Sequence, residues 1–156
     1  MSKQRLSVQE ASTKIRAYCA YQERCHDEVK QKLYGYGLYS RDVDQLMADL
    51  IEENYLNEQR FAVLFAGGKF RMKSWGRIKI NQELKLRKVS EYNIRMALKE
   101  IPETDYQKTL KKLAEKKWTS LSGKKIEKAA KTTRYLMQKG FELPMIQKVM
   151  TGLQEA

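Results

Sequence analysis

The residues of this chain that could do chemistry are few, and their spacing narrows what they can do. His26 is the single histidine; Cys25 precedes it, and Asp27 and Glu28 follow. Histidine-based nucleophilic catalysis needs a nucleophile, a base and an orienting group within hydrogen-bond reach. A lone histidine beside two acids, where a helix begins, fits a structural role better. Cys19 and Cys25 are six residues apart, not a Cys-x-x-Cys pair. A structural zinc takes about four ligands at fixed spacings, so both cysteines read as reduced thiols. Asp42, Asp44 and Asp49 read as a solvated helix face. The chain lacks a phosphate-cradling glycine loop and a dinucleotide fingerprint. The expectation is a protein without catalytic residues, metal or cofactor.

The positive signal is basic. Lys69, Arg71, Lys73, Arg77, Lys79, Lys85, Arg87 and Lys88 crowd one stretch against Glu83 alone, with Phe70 and Trp75 interleaved. Lysine and arginine neutralise phosphates and release counterions, and aromatic rings can stack on bases. Arg77, Lys79, Lys85 and Arg87 point in different directions on a helical wheel, and Trp75 suits a core as well as a base platform. A second cluster is Lys124, Lys125, Lys128, Lys131 and Arg134. Within it Lys124, Lys128 and Lys131 recur at i, i+4, i+7 and share one face, either a contact stripe or a solvated surface. These thirteen residues are the candidate contacts with an anionic partner.

What must position them is a block that occurs three times. Leu33, Leu84 and Leu136 align, as do Leu38, Val89 and Phe141; Val43, Ile94 and Ile146; and Met47, Leu98 and Met150. A fixed period means a repeated supersecondary unit. Gly35, Gly37 and Gly140 suit helix C-termini, and Ser40 and Ser90 suit N-caps. Apolar residues at i, i+3, i+4, i+7 follow, as in Val43, Leu46, Met47 and Leu50. A further helix precedes each pair: Ala11 to Gln22 with Ile15, Ala17 and Tyr18; Asn57 to Met72 with Phe61, Leu64 and Phe65; and Asp105 to Lys117 with Tyr106, Leu110 and Leu113. The middle helix of the second unit has Ile80 and Leu84 as its core pair, and that of the third has Ile126, Ala129, Ala130 and Leu136. Strand-like alternation is lacking. The fold expected is all-α, three tandem three-helix units (1–55, 56–101 and 102–156) in an elongated, curved array. Ile101-Pro102-Glu103 marks the clearest boundary, and Lys117 to Lys124 the longest loop. Gly67-Gly68 inside a helix either ends it early or lets another helix pack close, the second being preferred.

The chain has 156 residues, 42% of them hydrophobic and 32% charged, which fits a folded, soluble protein. Apolar runs fall well short of the ~20 residues of a membrane span, and Met1 to Glu10 lacks a signal-peptide core, so the cytoplasm is expected. The net charge of +12 is uneven. Residues 1–55 carry 8 Lys/Arg against 9 Asp/Glu, residues 56–100 carry 11 against 4, and residues 101–156 carry 12 against 6. A near-neutral first third and basic remainder point to a polyanionic or acidic partner for the later units.

These residues resemble the RecX family, bacterial regulators of the RecA recombinase, from about Tyr18 to Leu153. Tyr55-Leu56-Asn57-Glu58-Gln59-Arg60-Phe61-Ala62 is similar to that family's Leu-acid-acid-x-Arg-Phe-Ala segment, with Asn57-Glu58 in place of the acidic pair. Gly76 with Ile80 and Glu83-Leu84, and Gln138-Lys139-Gly140-Phe141 before Ile146, add to the match. Arg87-Lys88-Val89 lacks the glycine usual before the third helix of the middle unit, which leaves that turn open. The resemblance implies a non-enzymatic regulator in DNA repair, recombination and the SOS response. It implies a monomer that binds the RecA filament and single- or double-stranded DNA, with no membrane, and inhibits the recombinase. The competing reading is a stand-alone nucleic-acid-binding protein or repressor with a helix-turn-helix-like unit. Acids at two helix starts, Glu91 and Glu142, argue against insertion into a DNA groove.

Overall fold

In a computed structural model, residues 5–155 are described, and among them the chain is all helical. The helices are α1 (Val8–Tyr21), α2 (His26–Gly35), α3 (Ser40–Glu52), α4 (Glu58–Lys73), α5 (Arg77–Leu86), α6 (Glu91–Lys99), α7 (Glu103–Ser120), α8 (Lys125–Gln138) and α9 (Leu143–Glu155). The first four residues of the Met1 to Glu10 segment lie outside the described residues.

Local chemistry sets most ends. Ser7 and Glu10 form a capping box on α1, each side chain accepting from the other's backbone amide. The Glu28 carboxylate accepts from the Cys25 amide at 3.0 Å, and Asp27 and Glu28 lie in the first turn of α2, where carboxylates favour the helix dipole. His26 is thus the first residue of that helix. Ser90 caps α6, its hydroxyl accepting from the Asn93 amide at 3.2 Å. Ser40 does not cap α3: the cap position is Tyr39, and Ser40 begins the helix. The long loop expected after Lys117 is shorter, because α7 continues to Ser120. α4 runs unbroken through Gly67-Gly68, and neither alternative expected there holds. A Cβ on Gly67 would meet the guanidinium of Arg71, one turn along the same helix, and one on Gly68 would have nothing within 4 Å.

The repeated turn is realised three times. Gly37 (φ +89°) and Gly140 (φ +98°) take left-handed backbone, and Lys88 (φ +61°) takes the same conformation in the middle copy. The turn left open there is therefore the same turn, built on a lysine. Val89 N donates to Leu84 O at 3.1 Å, as Phe141 N does to Leu136 O at 3.2 Å.

The aligned leucines Leu33, Leu84 and Leu136 are fully buried, as are Val43 and Ile146, and Ile94 is nearly so. Other expected core positions shift. Ile126 is 76% exposed and Leu64 53% exposed; Ala17 and Ala130 are exposed as well. Ala11, Ile15 and Cys19 carry the buried stripe of α1, and Thr132 with Leu136 that of α8. In each case the apolar spacing fits a helix, but the buried face is rotated by one residue or more.

The described residues fall into two compact units. The first takes the chain through Leu64 and again Leu84–Met96; the second takes Phe65–Glu83 and Ala97 onward, so the divisions fall inside α4, α5 and α6. In the first, α1, α2 and α3 pack on one another around Ile15, Val29, Leu33, Val43 and Leu50. In the second, α7, α8 and α9 do the same, and Phe70, Tyr106 and Phe141 form a ring stack with centroids 5.8 and 5.2 Å apart.

Candidate nucleic-acid interface

One face of α8 is a lysine–aromatic track. Lys124, Lys128, Lys131, Tyr135 and Lys139 follow at steps of four, three, four and four residues, which keeps them within one helical stripe ~22 Å long at 1.5 Å per residue. Lys124 and Lys131 are exposed, and Lys128, Tyr135 and Lys139 half-buried. α7 supplies a ring and a charge alongside: Lys128 Nζ lies 4.4 Å from the centroid of the Trp118 ring, and Lys117 Nζ lies 5.1 Å from that of Tyr135. Ammonium groups over ring faces gain modestly from the quadrupole at exposed sites and remain available to an anion.

Lys139, at the end of that stripe, opens onto a second cluster. Its ammonium donates to Lys73 O at 2.6 Å, capping the C-terminus of α4. Burial, and then the charges of Lys79 and Lys73, push its pKa down. Trp75 lies close by in the chain, half-buried, with Lys69 Nζ 5.1 Å and Lys79 Nζ 4.7 Å from its ring centroid and Phe65 edge-on at 6.4 Å. Lys79 thus lies over the indole of Trp75 and also acts on Lys139, and an incoming anion would relieve this concentration of charge.

Arg77 is turned elsewhere. Its guanidinium pairs with Glu142 at 2.8 Å and with Glu103, and lies 3.8 Å from the ring centroid of fully buried Tyr106. The Arg77 amide donates to the Tyr106 hydroxyl at 2.9 Å, which in turn donates to Glu142. Burial first, then Glu142, hold the Tyr106 phenol well above its ordinary range. Beside this knot Gly76 N donates to Lys139 O at 2.7 Å and Ile78 N to Gly140 O at 2.9 Å. Gly76 touches the Gly140 backbone so closely that a Cβ would overlap it. This interior of the second unit fixes where Lys79 and Lys139 emerge.

Of the other nominated cations, Arg71, Lys73, Lys125 and Arg134 are exposed in the second unit, with Lys125 Nζ donating to Gln154 O at 3.4 Å. Lys85, Arg87 and Lys88 belong to the first unit, where Lys88 Nζ lies 3.2 Å from Asp27. The first unit also pairs Arg16 with Glu53, Arg24 with Glu28 and Arg60 with Glu23. Sequence reasoning missed Lys117, Trp118, Tyr135 and Lys139; extending the i, i+4, i+7 count beyond Lys131 would have found Tyr135 and Lys139. Cys19 and Cys25 are buried free thiols; burial pushes Cys19 up to about 11 and raises Cys25. Among the described residues there is no cluster of three metal-ligating side chains, and no helix long and apolar enough to cross a membrane.

Comparison with known proteins agrees with this architecture. Residues 57–98 match the model of the second three-helix domain of RecX, and residues 103–150 that of the third. The chain is 32% identical over 122 residues to the regulatory protein RecX of Vibrio vulnificus, covering 76% of each chain. It is 30% identical over 145 residues to that of Vibrio campbellii, covering 92% of each. The crystal structure of RecX from Lactobacillus salivarius superposes with a TM-score of 0.84 at 20% identity, over 96% of this chain and 97% of that one, a likeness of fold.

Proposed function

The chain belongs to the RecX family, and from that membership we propose that it is a regulator that binds the RecA–DNA filament and restrains ATP hydrolysis and strand exchange. It acts by occupancy rather than catalysis, as a monomer in the cytoplasm. The modules 1–55, 56–101 and 102–156 serve as successive contacts in this reading. Lys69, Lys73, Lys79, Lys124, Lys128 and Lys131 meet phosphate, with Trp75 and Trp118 beside exposed bases. The observation that carries this reading is the stripe from Lys124 to Lys139, where ammonium groups alternate with rings along one helix face. Arg77 is withdrawn from the contact set, because its charge is already shared by two carboxylates.

The test adds the protein to its cognate recombinase on single-stranded DNA. ATP hydrolysis and strand exchange are expected to slow at well below one molecule per recombinase subunit. Unchanged rates at equimolar amounts would reject the reading. Tight, sequence-specific duplex binding without recombinase would favour the repressor instead. Glu142, at the entrance to α9, is committed to Arg77 and Tyr106, which leaves that helix start poorly suited to reading bases.

A further inference from the structure

α8 carries a second face, distinct from its lysine–aromatic track. Ile126, Ala130, Thr133 and Met137 recur at i, i+4, i+7, i+11 and fall on one stripe. That stripe points to solvent: Ile126 is 76% exposed and Met137 51% exposed. Ala130 is exposed too, and Thr133 half-buried. The helix buries Thr132 and Leu136 instead. A helix that buries a threonine while presenting an isoleucine and a methionine to water has its apolar stripe turned outward, which marks an interaction surface more than a solubility defect. Exposed Arg134 lies along one edge, on the same row as Glu127, and exposed Lys125 toward the other; within the helix Lys125, Lys128, Lys131 and Arg134 stand against Glu127 alone.

We propose that this face docks an acidic amphipathic helix of a protein partner, apolar side chains against Ile126, Ala130 and Met137, and carboxylates against Lys125 and Arg134. The i, i+4, i+7, i+11 pattern is that of helix-on-helix recognition, and the basic edges select the sign of the occupant's charge. Nucleic acid fits it poorly, because the stripe offers no ring for a base to stack on. A second copy of this chain would bring its net charge of +12 to a basic edge. One helix would thus address two chemistries on two faces, phosphate and base on one, an acidic helix on the other. The inference rests on the proposed function only for assigning that helix to the protein component of the filament.

The test uses a labelled helical peptide about four turns long, with leucine at i, i+3, i+4, i+7 and glutamate elsewhere, and a scrambled peptide of equal composition. Fluorescence anisotropy should show the ordered peptide binding the full chain at least about tenfold more tightly than the scrambled one. The double variant Ile126→Asp/Met137→Asp should abolish that difference, and affinity for bare single-stranded oligonucleotide should stay within about twofold. Ala130→Glu, which keeps a good helix former, should weaken the peptide in the same direction, and circular dichroism should report unchanged helicity for both variants. Equal binding of both peptides, full retention by the variants, or sedimentation showing self-association through this face would overturn the proposal. Filament pelleting of the unmodified chain separately decides the proposed function.

Discussion

Both compact units set cations over aromatic rings, and they differ in what those cations touch besides. In the first, Arg16 pairs with Glu53, Arg24 with Glu28 and Arg60 with Glu23, and Arg16 and Arg24 lie over Tyr55 and Tyr18 as well, so their rings hold cations that carboxylates already hold. In the second, Arg77 is drawn into a knot with two carboxylates, and Lys69, Lys79, Lys117 and Lys128 rest over aromatic rings. A cation on a carboxylate is committed to the fold, but one on a ring keeps most of its field for something else. Net charge alone hides this difference; what a cation touches decides whether it can bind.

The sharpest way to break the comparison is the shared turn. Gly37 and Gly140 have nearly the same left-handed backbone, yet a Cβ on Gly140 would lie 2.6 Å from Lys79 N, whereas one on Gly37 would meet mainly the Arg5 side chain at 2.8 Å. Gly140→Ala is expected to destabilise by ~3–5 kcal/mol, the left-handed penalty plus steric overlap with backbone. Gly37→Ala should cost ~1–2 kcal/mol. Denaturant midpoints measure both. Thiol labelling locates the damage, because both cysteines belong to the first unit. With the Cys19 thiol pushed up to about 11 by burial, it stays protonated near neutrality and reacts only on opening. Its folded pKa lies above its unfolded one, so stability should fall as pH rises from about 9 toward 11. Gly37→Ala should speed labelling at neutral pH more than its smaller midpoint shift implies.

Next in size are the arginines. Arg77→Met leaves the half-buried Glu142 facing the Tyr106 hydroxyl without its cation, and should cost ~2–3 kcal/mol. Arg16→Met removes a more exposed pair and should cost at most ~1 kcal/mol. Equal destabilisation by the two would show that the knot is no more structural than a surface ion pair.

This contrast also separates what the sequence discloses from what it hides. The repeat, the helices and the aligned leucines follow from periodicity, a local property. The fate of Arg77 depends on Glu103 and Glu142, 26 and 65 residues away, and nothing in its basic neighbourhood reveals that. The outward stripe of α8 reads as core in the sequence because Ile126 and Ala130 have core-like types and spacing. Thr132, which takes the buried place, looks polar there. Lys88 in a glycine's backbone conformation is equally invisible, since composition records residue type but not φ. The lysine–aromatic track is half legible: three of its lysines and Tyr135 share a face by counting, but Trp118 and Lys117 come to it from α7 through packing.

Ionic strength then tests the second unit as a binding surface. Reversing Lys124, Lys128 and Lys131 to Glu should reduce the salt slope of nucleic-acid binding by about two to three, roughly 0.7–0.9 for each phosphate no longer neutralised. Lys30→Glu/Lys32→Glu, on exposed positions of the first unit, should change it by less than about one. Equal slopes would erase the distinction between the units in function.

The smallest effect expected is a gain, at Gly68. It lies in the interior of α4 within the second unit, and a Cβ there would have open space around it. Gly68→Ala should stabilise by ~0.4–1 kcal/mol, by restricting the unfolded chain and filling no occupied space. Gly67→Ala must first displace the Arg71 guanidinium, 2.7 Å from the new carbon, and should gain less. Melting temperature and filament affinity measured together give the result its meaning. If Gly68→Ala raises the melting temperature and leaves affinity intact, the glycine is a tolerated weakness of the helix. If stability rises while binding to nucleic acid falls, the missing side chain is space for a partner's backbone. The binding surface of the second unit would then reach back along α4 from the carbonyl that Lys139 caps to Gly68, five residues earlier.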